Sequence, residues 1–349
     1  MRRGWLAATE HPEEQFGGEA VKTNLKMSSW GACVMLAVGV SIAPTQAQQP
    51  EKVARIGFLS LSAWPGAAQR GVAEALQGLG YTRGKNIHFE FGNAYWDIER
   101  LPATAGELVG KKVDAIVAIG NLSGFAAKQT TAQVPILVWS MHAAVETGLV
   151  GSLARPGGNV TGVESLAPEL DAKRLELLKA IVPKLARLGH VYNPDAQASH
   201  AHLASVQEAA RKLGVRVVPL PVKRIDQIDD VLSGVAAGSI DALLTSTDEV
   251  TAWYVHKITA FGLQHRLPTV CSFRGAVEVG CLLSYGPSFD EFSAIIARQV
   301  DKVLKGAKAG DLPVEQVTRF EMLLNMKTAK ALGITIPQSL RVRVDEVIE

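Results

Sequence analysis

Polar side chains in this sequence gather where short apolar runs stop. Ser60 and Ser62, with Trp64 two residues on, follow the run 54–59, and Asn121 and Ser123 follow 114–119. Ser140 and His142 follow 135–139, Asn193 follows 185–192, Thr245 and Asp248 follow 241–244, and Phe273 and Arg274 follow 269–272. In an open parallel sheet, ligands bind at the carboxyl ends of strands, where helix N-termini present N–H groups. Hydroxyls, amides and few charges at such ends suit a small polar or zwitterionic molecule. Asn121 and Ser123 open a helix, where they either cap it or help hold a ligand carboxylate. Asp248 opens another, as a helix cap or as an acceptor for a ligand ammonium. Trp64 and Phe273 either pack locally or form apolar walls, and Tyr285 either packs at a hinge or stacks on the ligand. Arg274 either reaches the ligand or pairs with Glu278 one helical turn on. His142 is a further candidate contact.

The same residues argue against catalysis. Gly57-Phe58-Leu59-Ser60 lacks the spaced glycines of a dinucleotide site, and the serine of Gly120-Asn121-Leu122-Ser123-Gly124 sits one position late for a nucleophile elbow. No Cys/His pair or carboxylate dyad stands at the strand ends. Nor does any Cys/His set have metal-ligand spacing, and His200 and His202 fall on opposite sides of a polar helix start, so no cofactor or metal is expected. The formal charge is +2, with no basic stripe, which leaves no electrostatic case for nucleic acid. Cys271 and Cys281 flank a short predicted helix and are expected as buried free thiols on neighbouring strands, a disulfide being the other possibility.

These positions need a regular scaffold, and the pattern supplies one. Apolar Ala68, Val72, Ala75, Leu76 and Leu79 recur at helical spacing until Gly80. Strands are expected at 54–59, 87–91, 114–119 and 135–139, with helices at 66–79, 101–109 and after Gly120. A second series follows. Its strands are expected at 185–192, 215–220, 241–244, 269–272 and 282–285, and its helices at 199–213, 225–237, 250–263 and 288–304, with a helix at 169–182 between the two series. This order predicts parallel sheets with helices on both faces. The turn-rich stretch 152–162 reads as a connection. A chain of 349 residues, 47% of them hydrophobic, has material for two lobes.

The N-terminus reads as an export signal. Residues 30–42 are apolar and uncharged, Lys22 and Lys26 precede them, and Pro44-Thr45-Gln46-Ala47 follows. About 13 residues span only about 20 Å of helix, too short for a membrane core. Cleavage near Ala47 is expected, with residues 1–47 removed and the mature protein in the periplasm.

Several stretches carry a likeness. Residues 153–162 (LARPGGNVTG), 173–178 (KRLELL), 283–287 (LSYGP), 300–307 (VDKVLKGA), 311–316 (DLPVEQ) and 327–337 (KTAKALGITIP) together resemble the ABC-transporter substrate-binding proteins of the tryptophan/tyrosine-binding type. The resemblance implies an α/β fold of the type I periplasmic-binding-protein kind. Two Rossmann-like lobes with parallel sheets are joined by a multi-strand hinge and close over a ligand. The lobes are expected at 48–162 plus about 288–315, and at 163–287 plus about 316–349. Function is then expected to be solute capture for an importer, with a small-molecule ligand and a membrane permease as partners, in a monomer. A sensing partner of a membrane receptor and an α/β enzyme are the alternatives. One departure stands out. Relatives commonly show Asp-Pro just before the segment matching Thr147-Gly148-Leu149-Val150, whereas this chain has Ala143 and Ala144 beside His142, so an aromatic amino acid cannot be assumed as ligand.

Overall fold

The structure is a computed structural model that describes residues 53–61, 66–165, 167–196 and 199–349. The expected export segment, with Cys33, and the candidates Ser62 and Trp64 lie outside the described residues. The first half of the described chain alternates β1 (Ala54–Ser60), α1 (Ala67–Gly78), β2 (Ile87–Asn93), α2 (Leu101–Gly110), β3 (Ala115–Ile119), α3 (Gly120–Thr130), β4 (Ile136–Met141) and β5 (Val160–Glu164). The second half runs α4 (Ala167–Ile181), β6 (Arg187–Tyr192), α5 (Ser199–Lys212), β7 (Arg216–Pro221), α6 (Ile228–Ser233), β8 (Ala242–Thr245), α7 (Glu249–Trp253), α8 (Val255–Gln264), β9 (Thr269–Cys271), α9 (Arg274–Glu278) and β10 (Leu283–Pro287). The tail adds α10 (Phe289–Leu304), β11 (Glu315–Gln316), β12 (Phe320–Asn325), α11 (Met326–Leu332), α12 (Gln338–Arg341) and β13 (Glu346–Ile348).

Two sheets result, ordered β11-β5-β4-β3-β1-β2 and β13-β12-β10-β9-β8-β6-β7. Their strands are near-continuous apolar runs because helices cover both faces. In the first lobe Phe58, Val117 and Leu137 pack beneath α1 and α10, while Leu59, Ile116 and Val138 face the α2 side with Leu101 and Leu108. In the second, Leu188, Leu244 and Val270 meet Leu175 and Leu178 of α4, and Val191 and Leu243 meet Ile258 of α8. The chain passes between the sheets three times: after β5, after β10 and between β11 and β12. Helix α10 thus follows a strand of the second sheet yet packs on the first, placing Phe292, Ile296 and Val300 in its core.

Several expectations need correction. The stretch 152–162 is not all connection, since Val160–Glu164 is a fully buried strand. The turn formers Pro156-Gly157-Gly158-Asn159 run straight into it and mask its short apolar pattern. Gly162 is required there: its φ is +146°, and a Cβ would lie 2.2 Å from the Val138 carbonyl oxygen. The sheets are parallel except for β10 and β12, which pair antiparallel. The helix expected over 250–263 is broken at Tyr254, and the one over 225–237 ends its α-helical turn at Ser233. Strands β11, β12 and β13 are not among those expected: β11 has two residues and β13 three, both at sheet edges, whereas β12 is a six-residue strand paired on both sides, with β10 and β13. Cys271 and Cys281 are joined as a disulfide, with Cα atoms 6.5 Å apart, and not free thiols. Helix α9 returns the chain from β9 to its neighbour β10, which brings the two residues within bridging distance. Among the described residues no helix is long and apolar enough to cross a membrane.

Candidate functional site

The carboxyl ends of the two sheets approach each other, and side chains from both lobes meet there. On the first lobe Asn121, in the opening turn of α3, does not cap its own helix. Its Oδ1 accepts from the His142 N–H at 3.0 Å and its Nδ2 donates to the His142 carbonyl at 2.8 Å. Both ends of one amide therefore fix the segment after β4. That segment is conformationally unusual: Ser140 has φ +64°, Ala143 has φ +48°, and the register of β4 against β5 shifts between Val138 and Met141. Residues held in this region mark positions where the surroundings override local preference. Ala144 donates its N–H to Glu164 Oε1 at 2.8 Å. Ser60 is buried at the end of β1, and Ser123 is buried with no hydrogen-bond partner for Oγ.

The second lobe brings charge. Asp171 and Arg174 lie three residues apart on α4 and are both fully buried, at 0% exposure. Arg174 Nη1 donates to Asp171 Oδ1, and its Nε donates to the Tyr285 carbonyl at 2.7 Å. Its Nη2 is buried without a partner. The other Asp171 oxygen, Oδ2, lies 2.5 Å from His202 Nδ1 on α5, and His202 Nε2 lies 3.3 Å from the Thr247 hydroxyl. Burial alone would raise the Asp171 carboxyl. The Arg174 guanidinium and the His202 contact outweigh it and hold the group below the usual carboxylate range.

Away from the chain crossings, two ring pairs join the lobes. His142 of the first lobe stands 6.2 Å from His202 of the second, centroid to centroid. Burial, with the nearby His202 and Arg174, pushes the His142 imidazole down to about 4, so it is neutral near pH 7. Its Nδ1 is also buried and unpartnered. Trp96, after β2, lies 4.3 Å from Trp253 on α7, again centroid to centroid. His190 on β6, behind Asp171 and His202, is likewise pushed down to about 4, chiefly by burial.

Most of the remaining candidates have partners within the fold. Asp248 caps α7: Oδ1 accepts from the Thr251 N–H at 2.9 Å, and Oδ2 accepts from the Asn193 N–H at 3.0 Å and the Thr251 hydroxyl at 2.9 Å. Burial raises its carboxyl despite those donors. Asn193 itself accepts from the Asp195 N–H through Oδ1. Thr245 is buried with Oγ1 unpartnered. Phe273 stacks on Phe289 at 6.4 Å, and Tyr285 packs beside Phe320 at 6.2 Å, both next to the lobe crossings. Arg274 pairs with Glu346 at 2.5 Å, where the sequence suggested Glu278 as its partner. Strand β13 delivers Glu346 to that place, which local spacing cannot reveal.

Sequence spacing did not single out Asp171, Arg174, His202 or the tryptophan pair. One signal was present: two opposite charges at i, i+3 in a helix whose remaining face is apolar. Among the described residues no group of three or more His, Cys, Asp or Glu is arranged to hold a metal ion.

Comparison with known proteins places this geometry. A family model described as ABC transporter substrate binding protein matches residues 52–348. A tyrosine-binding protein of Clostridioides difficile (strain R20291) is 31% identical over 286 residues, spanning 81% of this chain and 82% of that one. Among solved structures, the chain is similar to a Streptococcus pneumonia ABC domain in complex with L-Trp, with TM-score 0.78 and 26% identity over 84% of this chain and 99% of that one. It is also similar to the ligand-free, open form of a Clostridium difficile substrate-binding protein with adhesive properties, with TM-score 0.63 and 29% identity over 85% and 99%. At nearly equal identity, the tryptophan-bound chain is the better match in shape.

Proposed function

The chain belongs to the family of ABC transporter substrate-binding proteins, and on that premise we propose that it is the extracytoplasmic solute-binding component of an importer. It holds a small polar or zwitterionic, amino-acid-like ligand between its lobes and hands it to a membrane permease. The family is one of binding proteins, and the chain is read as a receptor without catalysis.

One observation supports this reading above the others. Arg174 is buried with an unused Nη2 on one lobe, near His142 of the other, whose Nδ1 is buried and unpartnered. A buried polar atom without a partner costs about 1–3 kcal/mol, and more when it is charged. Such atoms on opposing faces make sense when a ligand completes them, which couples binding to closure. The Trp96–Trp253 contact then holds the lobes together from the side. Residues 1–47 serve as the export signal in this reading.

A thermal-shift screen of amino acids, small carboxylates and nucleosides tests the proposal. A true ligand at a hundredfold excess over its Kd stabilises the protein by about 2.7 kcal/mol. Solution scattering of the same complex should show a more compact particle. If no member of a broad set raised the melting temperature, the importer role would fall. N-terminal sequencing of the exported protein checks the cleavage near Ala47, and an intact Met1 in a cytoplasmic pool would overturn it.

A further inference from the structure

The open charged group found at the cleft is a donor, and the acids beside it are engaged. Arg174 Nη2 is a charged donor that is fully buried and unpartnered, and Ser123 Oγ and His142 Nδ1 on the facing lobe are buried and unpartnered too. Arg174 and His142 are close enough for the guanidinium to disfavour a proton on the ring.

The carboxylates are spoken for. Asp171 gives one oxygen to Arg174 and the other to His202. Asp248 gives one to the Thr251 N–H and the other to Asn193 and the Thr251 hydroxyl. Glu164 gives one to the Ala144 N–H and the other to Gln316 Nε2 at 3.1 Å. None of these three has an oxygen without a protein donor. An ammonium group entering the cleft would find neutral acceptors but no open oxygen on these three acids, whereas a carboxylate would find an open N–H on a guanidinium.

Resting on the cleft as the ligand site, as proposed above, we infer that the ligand is recognised through a carboxylate held by Arg174 Nη2, and that an α-amino group contributes little to its affinity. The ligand class is then a small organic acid, with amino acids as one member. Asp171 offsets the charge of Arg174, so the guanidinium acts as a directional donor in a near-neutral setting. That geometry suits a carboxylate oxygen and does not suit an amine.

Calorimetric titration of the full chain with matched triplets tests the inference. Three sizes serve: L-tryptophan, indole-3-propionate and tryptamine; L-tyrosine, 3-(4-hydroxyphenyl)propionate and tyramine; and L-leucine, 4-methylpentanoate and 3-methylbutylamine. In the triplet that fits, the acid lacking the amine should bind within about threefold of the amino acid, and the amine lacking the acid should not bind. Arg174→Gln should weaken the acid by about 10- to 150-fold, the range of a charged hydrogen bond. Because that variant strands Asp171 and can fail to fold, the titrations of the unaltered chain are the deciding measurement. If removing the amine costs more than tenfold, or the amines bind and the acids do not, the inference is overturned and the binding function stands. If no triplet member of any class binds, the cleft reading itself fails and takes the inference with it.

Discussion

The two lobes present unlike chemistry to the same cleft. The first lobe's face holds neutral groups and one fully bonded acid: the Asn121 amide, the Ser60 and Ser123 hydroxyls, an imidazole, His142, that burial keeps uncharged near pH 7, and Glu164, whose two oxygens take the Ala144 N–H and Gln316 Nε2. The second lobe's face carries a fully buried ion pair, Asp171 with Arg174, braced by His202, and a buried capping acid, Asp248. It also holds the disulfide between β9 and β10. A buried charge needs fixed partners in place before the ligand arrives. The second lobe carries the buried ion pair with its partners already in place, and the first lobe meets it with mostly neutral groups.

Removing one charge should produce the largest effect. Asp171→Asn leaves Arg174 buried without its counter-charge and should lower stability by about 3–5 kcal/mol in chemical denaturation. Asn121→Ala in the first lobe should cost about 1 kcal/mol, since only neutral hydrogen bonds are lost. If the two costs proved equal, the contrast between the lobes would be unsound. Acid gives an independent reading. Asp171 is held below the ordinary value of about 3.9, so its contribution is fully present above that pH and is lost as pH falls through and below it. The unaltered chain should lose stability steeply there, and Asp171→Asn should show a shallower fall.

The disulfide comes next. Paired Cys271→Ser and Cys281→Ser, or mild reduction, should cost about 2–3 kcal/mol for a loop of this length. Hydrogen exchange should rise around α9 and leave β1–β5 unchanged. Asp248→Ala removes the cap of α7 and its tie to Asn193, at about 0.5–2 kcal/mol of stability. Ligand affinity measured by titration should move less than about threefold, because both Asp248 oxygens already serve the fold; a larger loss for amine-bearing ligands alone would restore this acid as a ligand group. The smallest effect is expected at the tryptophan contact. Trp253→Ala removes an interlobe ring pair of about 0.5–1.5 kcal/mol, so apparent affinity should fall about 2- to 13-fold with the melting temperature of the ligand-free chain almost unchanged. A large stability loss instead would mean that Trp253 supports its own lobe and not closure.

Much of the architecture could be read from the chain itself. Apolar runs such as 54–59 and 114–119, with helical spacing such as Ala68, Val72 and Leu76 between them, require buried parallel strands and covering helices. The same periodicity places Asn121, His142, Asn193 and Asp248 at strand ends, since a strand must end where its apolar run does. Other features belong to the tertiary structure. Asp171 and His202 are 31 residues apart, and only the packing of α4 against α5 brings them together. Asn121 reads as a helix cap in sequence, yet the fold turns its amide to the His142 backbone 21 residues on. Local pattern reports which face of an element is apolar. It does not report which other element covers that face, and on that depend the burial of Arg174, its pairing with Asp171 and the donor it leaves open.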